Sequence, residues 1–376
     1  MNKPIDIIIR AAAVRTGLGS LDATAERLVS AHSAIREPRC FGVAAPWAPF
    51  ADPRCSTFEH CLGELARESS LHTVITTGRV GFLYAAAKGC SNGLDQLIDN
   101  PDIPFEKLDA PVLLHEQATR AAQVLGLTPS LSLVVSNACA SGAIALETAC
   151  DLLAGGWCDQ MVVVGFDTVS RFVASGFAAL GALSPEPARP FDRDRQGLSL
   201  GDGAALAIIE RRGPRTCTAV SVASVQSTND ANHRTGPSRT GEGLYRAAAQ
   251  ALARANLCPG NVGAVKCHGT ATSYNDAMEA KALFSLFGAD CPPCVSLKGS
   301  LGHTSGGGSL VECLIAARWL DTLQIPPTVG FRMSGVEEPI GVRPHPQTFT
   351  RPVLLCLSAG FGGVNAAVIL EKRGPA

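Results

Sequence analysis

The 376-residue chain sets 32 basic against 33 acidic side chains, and its formal net charge of −1 gives no overall pull toward nucleic acid or an anionic membrane. With 46% hydrophobic and 17% charged residues it has the composition of a globular protein with a large core, which excludes a disordered or coiled chain. At about 150 residues per domain, the length fits two domains or one duplicated unit.

Residues 5–14 read as a first buried strand. Asp6 and Arg10 interrupt it, so the segment is neither a signal peptide nor a membrane anchor. No other stretch is long and uncharged enough to span a bilayer. The chain is therefore expected in the cytoplasm, with its 14 cysteines as thiols. Helical patterns cover 23–34 and 57–69, separated by a loop-like segment at 40–53 that is rich in Pro and small residues. A strand is expected at 72–76, irregular chain at 91–111, and a helix at 113–125. A buried strand at 131–135 leads into a helix ending near residue 153, followed by a buried strand at 160–165 and a helix or loop at 172–183. Residues 189–203 are polar and Gly-rich, and 204–210 form a strand. The pattern then restarts, with strands at 219–226, 262–267, 293–297, 353–358 and 364–370 and helices at 243–255, 275–287 and 310–320. Alternating strands and helices predict layered α/β architecture. The one C-x-x-C pair, Cys291 and Cys294, encloses two prolines and has no second ligand pair, so it reads as a turn and no metal is expected.

The chemistry centres on Leu131 to Gly142. Strand 131–135 stops at Ser136 and Asn137, and the small residues Ala140, Ser141 and Gly142 open the next helix, with Cys139 at the junction. A helix N-terminus favours thiolate over thiol and offers free N–H groups to an oxyanion. Three later stretches share this design, each placing a reactive residue just past a strand in Gly-rich chain. They are Lys266-Cys267-His268-Gly269-Thr270-Ala271-Thr272, with Asp276 and Glu279 beyond it; Lys298-Gly299-Ser300-Leu301-Gly302-His303; and Gly360-Phe361-Gly362-Gly363-Val364-Asn365. Strand ends along one edge of an α/β sheet converge on a crevice, where sites are assembled.

These four motifs, in this order, resemble those of the β-ketoacyl-acyl-carrier-protein synthases among the thiolase-fold condensing enzymes. The resemblance runs from about residue 113 to the end and includes Arg189 to Arg195 and Gly201 to Ala204. It implies a thiolase-like duplicated αβαβα layered fold, with one half at 1–213 carrying the nucleophile and the other at 214–376 carrying two catalytic histidines. Cys139 would accept an acyl group, and the N–H groups of Cys139 and Phe361 would form the oxyanion hole. His268 and His303 would stabilise an enolate as neutral imidazoles donating through Nε2. Lys298 would support the histidines and Glu279, Asp276 would be a second supporting carboxylate, and Phe361 would gate the acyl pocket. Thr270 and Thr272 would hydrogen-bond a phosphopantetheine arm, with Gly362 also on the substrate side. The implied reaction is decarboxylative Claisen condensation of an acyl chain with malonyl-acyl-carrier protein in fatty-acid or type II polyketide or polyene biosynthesis. It needs no cofactor beyond the phosphopantetheine of the carrier protein. The implied partners are acyl-carrier protein and a second chain, in a homodimer or a heterodimer with a related chain.

Asn137 stands where the family usually has Thr or Ser, and Gly306-Gly307-Gly308 replaces a more Ala-rich segment. The chain thereby looks closer to secondary-metabolite type II (aryl-polyene-like) synthases than to housekeeping ones. Two other readings are a non-catalytic chain-length-factor-like partner and a coenzyme-A thiolase. The first typically lacks the nucleophile or a histidine. The second uses another cysteine in the C-terminal loop, where this chain has none.

Overall fold

The computed structural model describes residues 6–36, 40–75, 78–108, 110–213 and 219–373. Eleven strands form the main sheet: β1 (Ile7–Thr16), β2 (Val80–Ala85), β3 (Leu131–Val135), β4 (Gln160–Asp167), β5 (Gly203–Arg211), β6 (Ala219–Asn229), β7 (Ala264–Lys266), β8 (Pro293–Val295), β9 (Gly341–Val342), β10 (Val353–Gly360) and β11 (Val364–Arg373). Their spatial order is β9-β8-β7-β10-β11-β6-β1-β5-β4-β2-β3. The first five strands pair in the order first, fifth, fourth, second, third, and strands β6, β7, β8, β10 and β11 repeat that order. The sense of pairing repeats too. The β1/β5 and β5/β4 pairs are antiparallel and β4/β2 and β2/β3 parallel, as are β6/β11 and β11/β10, then β10/β7 and β7/β8. The two runs meet where β1 pairs with β6, Ile8 opposite Ser221. The expected boundary at 213/214 abuts residues 214–218, which lie outside the described residues.

Helices cover both faces of each run. Between them lie α5 (Ser141–Ala154) and α9 (Gly308–Thr322). Helix α9 is buried from Gly308 through Ala317, apolar on nearly every side, as a helix in a protein's middle layer must be. On the outside, α2 (Phe58–Glu68) and α4 (Leu114–Val124) share a core with β2, β4 and β5, while α7 (Glu242–Arg254) and α8 (Ser273–Phe287) share one with β7, β10 and β11. The result is the expected αβαβα layering. Three shorter helices complete the set used below: α1 (Leu21–Val29), α3 (Asn92–Asp99) and α6 (Arg171–Ala179).

Three local expectations fail. The strand placed at 72–76 is a helical turn, Leu71–Val74, in its described part, with Thr76 outside the described residues. The strand itself comes later, as β2. Gly81 disguises β2 in the sequence; a Cβ there would lie 2.3 Å from Met161 Sδ, so β4's side chain occupies the space. The stretch at 91–111 is not wholly irregular, since it contains α3 and a 3₁₀ turn at Phe105–Lys107. Strand β3 is not buried on all sides. It is the sheet's edge, with Leu133 39% and Val134 36% exposed.

The central helices approach closely where α5 begins. A Cβ on Gly142 would stand 2.4 Å from Leu310 N and 2.8 Å from Leu310 Cβ. Backbone cannot yield as a side chain does, so Gly142→Val is expected to destabilise the protein by about 1–3 kcal/mol or more. Its urea midpoint should fall accordingly, whereas a midpoint equal to wild type would mean that the α5–α9 contact gives way freely.

Candidate active site

Cys139 lies in the 3₁₀ turn Ala138–Ala140 between β3 and α5. The turn is strained, because Ala138 has φ 48, a left-handed conformation costly for a residue with a Cβ. Ser141 clamps it: Asn137 N donates to Ser141 Oγ at 2.8 Å, and Oγ donates to Ala138 O at 2.6 Å. The backbone N–H groups of Phe361 and of Cys139 itself reach the sulfur.

His303 Nε2 is 3.0 Å from Cys139 Sγ, and the His268 ring stands 5.6 Å from the His303 ring, nearly perpendicular to it. All three side chains are buried. Lys298 fixes His268. Its Nζ donates to His268 O at 2.7 Å and to His268 Nδ1 at 3.4 Å. An ammonium can only donate, so Nδ1 accepts and Nε2 carries the hydrogen. His303 Nδ1 is buried with no hydrogen-bond partner among the described residues, so its bond to sulfur can run in either direction.

The carboxylate on Lys298 is Glu312, not Glu279 as expected. Lys298 Nζ donates to Glu312 Oε1 at 2.7 Å, and Lys266 Nζ donates to Glu312 Oε2 at 2.8 Å. Glu279 instead accepts from the backbone N–H groups of His268 at 2.6 Å and Gly269 at 2.7 Å. Asp276 accepts from Phe191 N at 2.7 Å and Ala271 N at 3.2 Å. Both carboxylates stand on α8 and hold the histidine loop by its backbone. Glu312, Lys266 and Asp167 carried no functional signal in the sequence beyond being charges inside apolar segments. Asp167, at the end of β4, gathers the N–H groups of Lys88 and Gly89 and, across 140 residues, of Gly307.

Burial governs the titrations. It lowers His303 to about 3, helped by the charge of Lys298, and lowers His268 well below the ordinary imidazole range, where Lys298, His303 and Lys266 add to the effect. Both rings are neutral at physiological pH. Burial also pushes the Cys139 thiol up to about 11, against the pull of Lys298 and the two N–H groups. The expectation that the helix N-terminus favours thiolate is thus reversed in this closed site, because desolvating an anion outweighs the N-terminal dipole. Burial raises Glu279 to about 7 and Asp167 to about 6.

Two cavities meet at Cys139. One is lined by His268, Thr270, Thr272, His303 and Phe361, and the roomier by Lys88, Ser136, Phe172, Leu180 and Phe361. Phe177, which the sequence left in a helix or loop, lines both and packs 5.9 Å from Phe361 and 6.3 Å from His303. Thr270 Oγ1 and Thr272 Oγ1 are 2.8 Å apart. Gly362 is in the β10–β11 turn at φ +85, donates its N–H to Arg234 O, and belongs to neither lining. The C-x-x-C sulfurs of Cys291 and Cys294 are 3.6 Å apart at the start of β8.

Comparison with known proteins decides the family. The family described as "Beta-ketoacyl synthase, N-terminal domain" matches residues 23–214, half of the chain, and "Beta-ketoacyl synthase, C-terminal domain" matches 219–332. The chain belongs to the beta-ketoacyl synthase family. The match begins well before residue 113, where the resemblance was expected to start. It stops at 332, short of the Phe361 loop. Among curated members, "3-oxoacyl-[acyl-carrier-protein] synthase 2" of Rhizobium meliloti (strain 1021) is 35% identical over 255 residues, 63% of this chain and 60% of that protein. "Oxytetracycline polyketide putative beta-ketoacyl synthase 1" of Streptomyces rimosus is 32% identical over 257 residues, 64% of this chain and 60% of that protein. The match thus spans less than two thirds of these relatives' length. In fold, the beta-ketoacyl synthase chain superposes on a ketosynthase solved in complex with its chain length factor from Xenorhabdus doucetiae, with TM-score 0.85, 23% identity, and coverage of 99% of this chain and 100% of that one.

Two measurements test these electrostatics. The rate of Cys139 alkylation by iodoacetamide, read by mass spectrometry of its peptide, should climb steadily from pH 7 to 10 with no plateau, since the thiol titrates at about 11. A plateau by pH 8 would mean that the N–H groups win over burial. Glu312→Gln strips two buried ammonium groups of their counter-ion and should cost about 3–5 kcal/mol in denaturant unfolding.

Proposed function

We propose that this protein condenses an acyl chain held on Cys139 with a malonyl thioester, releasing CO2 and a β-ketoacyl thioester. The observation that carries this reading is the convergence of one buried thiol and two neutral imidazoles, with His303 Nε2 3.0 Å from Cys139 Sγ. In the first half-reaction the Cys139 sulfur attacks the carbonyl of an acyl thioester. The oxyanion is held by the N–H groups of Cys139 and Phe361, and the thiol proton leaves on the departing sulfur. A malonyl thioester then enters from the Thr270–Thr272 side, where those hydroxyls suit a phosphopantetheine arm. Its carboxylate leaves as CO2, and the bonding pair becomes an enolate whose oxygen accepts from Nε2 of His268 and His303. The enolate carbon attacks the acyl carbonyl on Cys139. Collapse of that adduct expels the Cys139 sulfur, which regains a proton.

Neutral imidazoles suit this task. They donate hydrogen bonds to the growing negative charge without protonating the enolate carbon. Acyl transfer, loss of CO2 and carbon–carbon bond formation here need no external oxidant or reductant, so the chemistry calls for no electron carrier. Phe361 and Phe177 separate the two cavities, which suits a gate between acyl pocket and malonyl entrance. Lys298, Glu279 and Asp276 act here by holding the histidines and their loop. The thiolase reading finds no support in Cys356, which is buried within β10 and turned away from both cavities.

The acyl donor we propose is acyl-carrier protein, in fatty-acid or type II polyketide or polyene synthesis. A homodimer or a heterodimer with a related chain would cover the exposed edge of β3, since an uncovered apolar edge strand invites pairing. No helix among the described residues is long and apolar enough to cross a membrane.

Cys139→Ala should abolish the acyl mass shift seen when wild type is incubated with acyl-carrier thioesters; retained labelling would remove Cys139 as the acceptor. Cys139→Gln should keep or raise CO2 release from malonyl-acyl-carrier protein while forming no condensation product. Loss of both activities would refute separate roles for the cysteine and the histidines.

A further inference from the structure

The condensation proposed above uses Cys139, His268, His303 and Lys298, and leaves unexplained a second lysine beneath them. Lys266 ends β7, two residues before His268, and its side chain is fully buried. Its Nζ donates to Glu312 Oε2 at 2.8 Å and to Leu357 O, on β10, at 2.6 Å. A buried lysine usually loses its proton or carries its own carboxylate. Lys266 does neither. It shares one carboxylate with Lys298, so two cations face one anion in a dry layer behind the two imidazoles.

The groups packed on Lys266 offset the surplus only in part. From α9 it faces Glu312 and the thiol of Cys313, from β10 the thiol of Cys356, and it lies within the field of Glu279 on α8. Burial disfavours its charge, but Glu312, with Cys313 and Cys356, outweighs burial and keeps it an ammonium. The three donors of Lys298 are all spent, on Glu312 Oε1, His268 O and His268 Nδ1. That arrangement needs Glu312 held from its other oxygen, and Lys266 holds it there.

We infer that Lys266 is a positioning residue of the condensation site, which pins Glu312 so that Lys298 points at His268 and adds positive charge behind the place where thiolate and enolate form. The inference rests on the proposed condensation for its purpose, but its electrostatic content is measurable without it. Its tie to Leu357, four residues before Phe361, also joins the histidine strand to the strand that carries the oxyanion loop.

Lys266→Met keeps the volume and leaves Lys298 and Glu312 as a one-to-one pair, so the variant is expected to fold, as its denaturant midpoint will report. Loss of a positive charge raises the pKa of every neighbour. Alkylation of Cys139 by iodoacetamide at pH 8 should therefore slow about threefold or more, a shift of roughly half a pH unit. The acid limb of malonyl decarboxylation should move to higher pH, with kcat falling more than KM changes. Lys266→Arg should restore the alkylation rate in part. A merely structural role predicts the opposite sign, since a loosened site admits water and reagent and speeds alkylation. An alkylation rate unchanged or faster in Lys266→Met would overturn the inference. If wild type decarboxylates no malonyl thioester while alkylation still slows in the variant, the condensation reading fails and the role of Lys266 as a charge source stands.

Discussion

One carboxylate between two ammonium groups holds the working part of this fold together. Glu312 comes from the central helix α9, Lys266 from β7, and Lys298 from the helical turn after β8, and Lys266 reaches on to β10. Four elements from one half are tied at one point. A buried ion pair is not a strong source of stability, because removing two charges from water costs about what their attraction returns. What it does supply is uniqueness. Any slip of α9 along the sheet would leave at least one charge unpaired in a dry core, so the register of the elements that carry both histidines is fixed by a penalty on every alternative.

The same dryness decides the chemistry. Burial that keeps His268 and His303 neutral also keeps Cys139 protonated. A thiolate–imidazolium pair would require charging a ring that already faces Lys298, so the site is not arranged as a cysteine–histidine ion pair. It stores its stabilisation as fixed dipoles and a fixed cation, all aimed at negative charge that exists only during reaction. Preorganisation of this kind is worth most where water is excluded. It also explains why the charged groups at the bottom of the site are held by several bonds, with backbone N–H groups on Glu279 and Asp167 and three acceptors on Lys298.

The reactive residues were legible in the sequence because each follows an apolar strand and stands among glycines, a local pattern. Layering and most strands were legible for the same reason. What escaped depends on contacts distant in the chain. Glu279 and Glu312 look alike in sequence, each on a helix near a histidine motif, and only the packing of α9 against β7 assigns Lys298 to Glu312. Asp167 reads as the polar end of a strand, until Gly307, 140 residues on, brings its N–H to it. Strand β2 hid behind Gly81, and β3 looked buried because two of its three exposed residues, Leu133 and Val134, are apolar. The thiol's titration could not be foreseen either, since a helix N-terminus is a local feature and desolvation is not.

The repeated strand order gives these pieces a common logic. The second, third and fourth strands of each run are parallel, so their carboxyl ends lie on one side. In the first run, β2, β3 and β4 end at the 87–89 loop, at Cys139 and at Asp167. In the second, β7, β8 and β10 end at His268, at Lys298 with His303 beyond it, and at Phe361. Equivalent loops therefore hold different chemistry. The first run supplies Cys139, the proposed nucleophile, on a strained turn, with Asp167 binding the loop N–H groups around it. The second supplies both imidazoles, their cations and Phe361, a proposed oxyanion donor. Neither run holds a complete site. Only where the two sets of strand ends face each other across α5 and α9 do sulfur and imidazole come within 3.0 Å. The close approach of α5 to α9 at Gly142 therefore bears on the proposed chemistry, because a wider spacing there would draw the turn that carries Cys139 away from the run that carries His303.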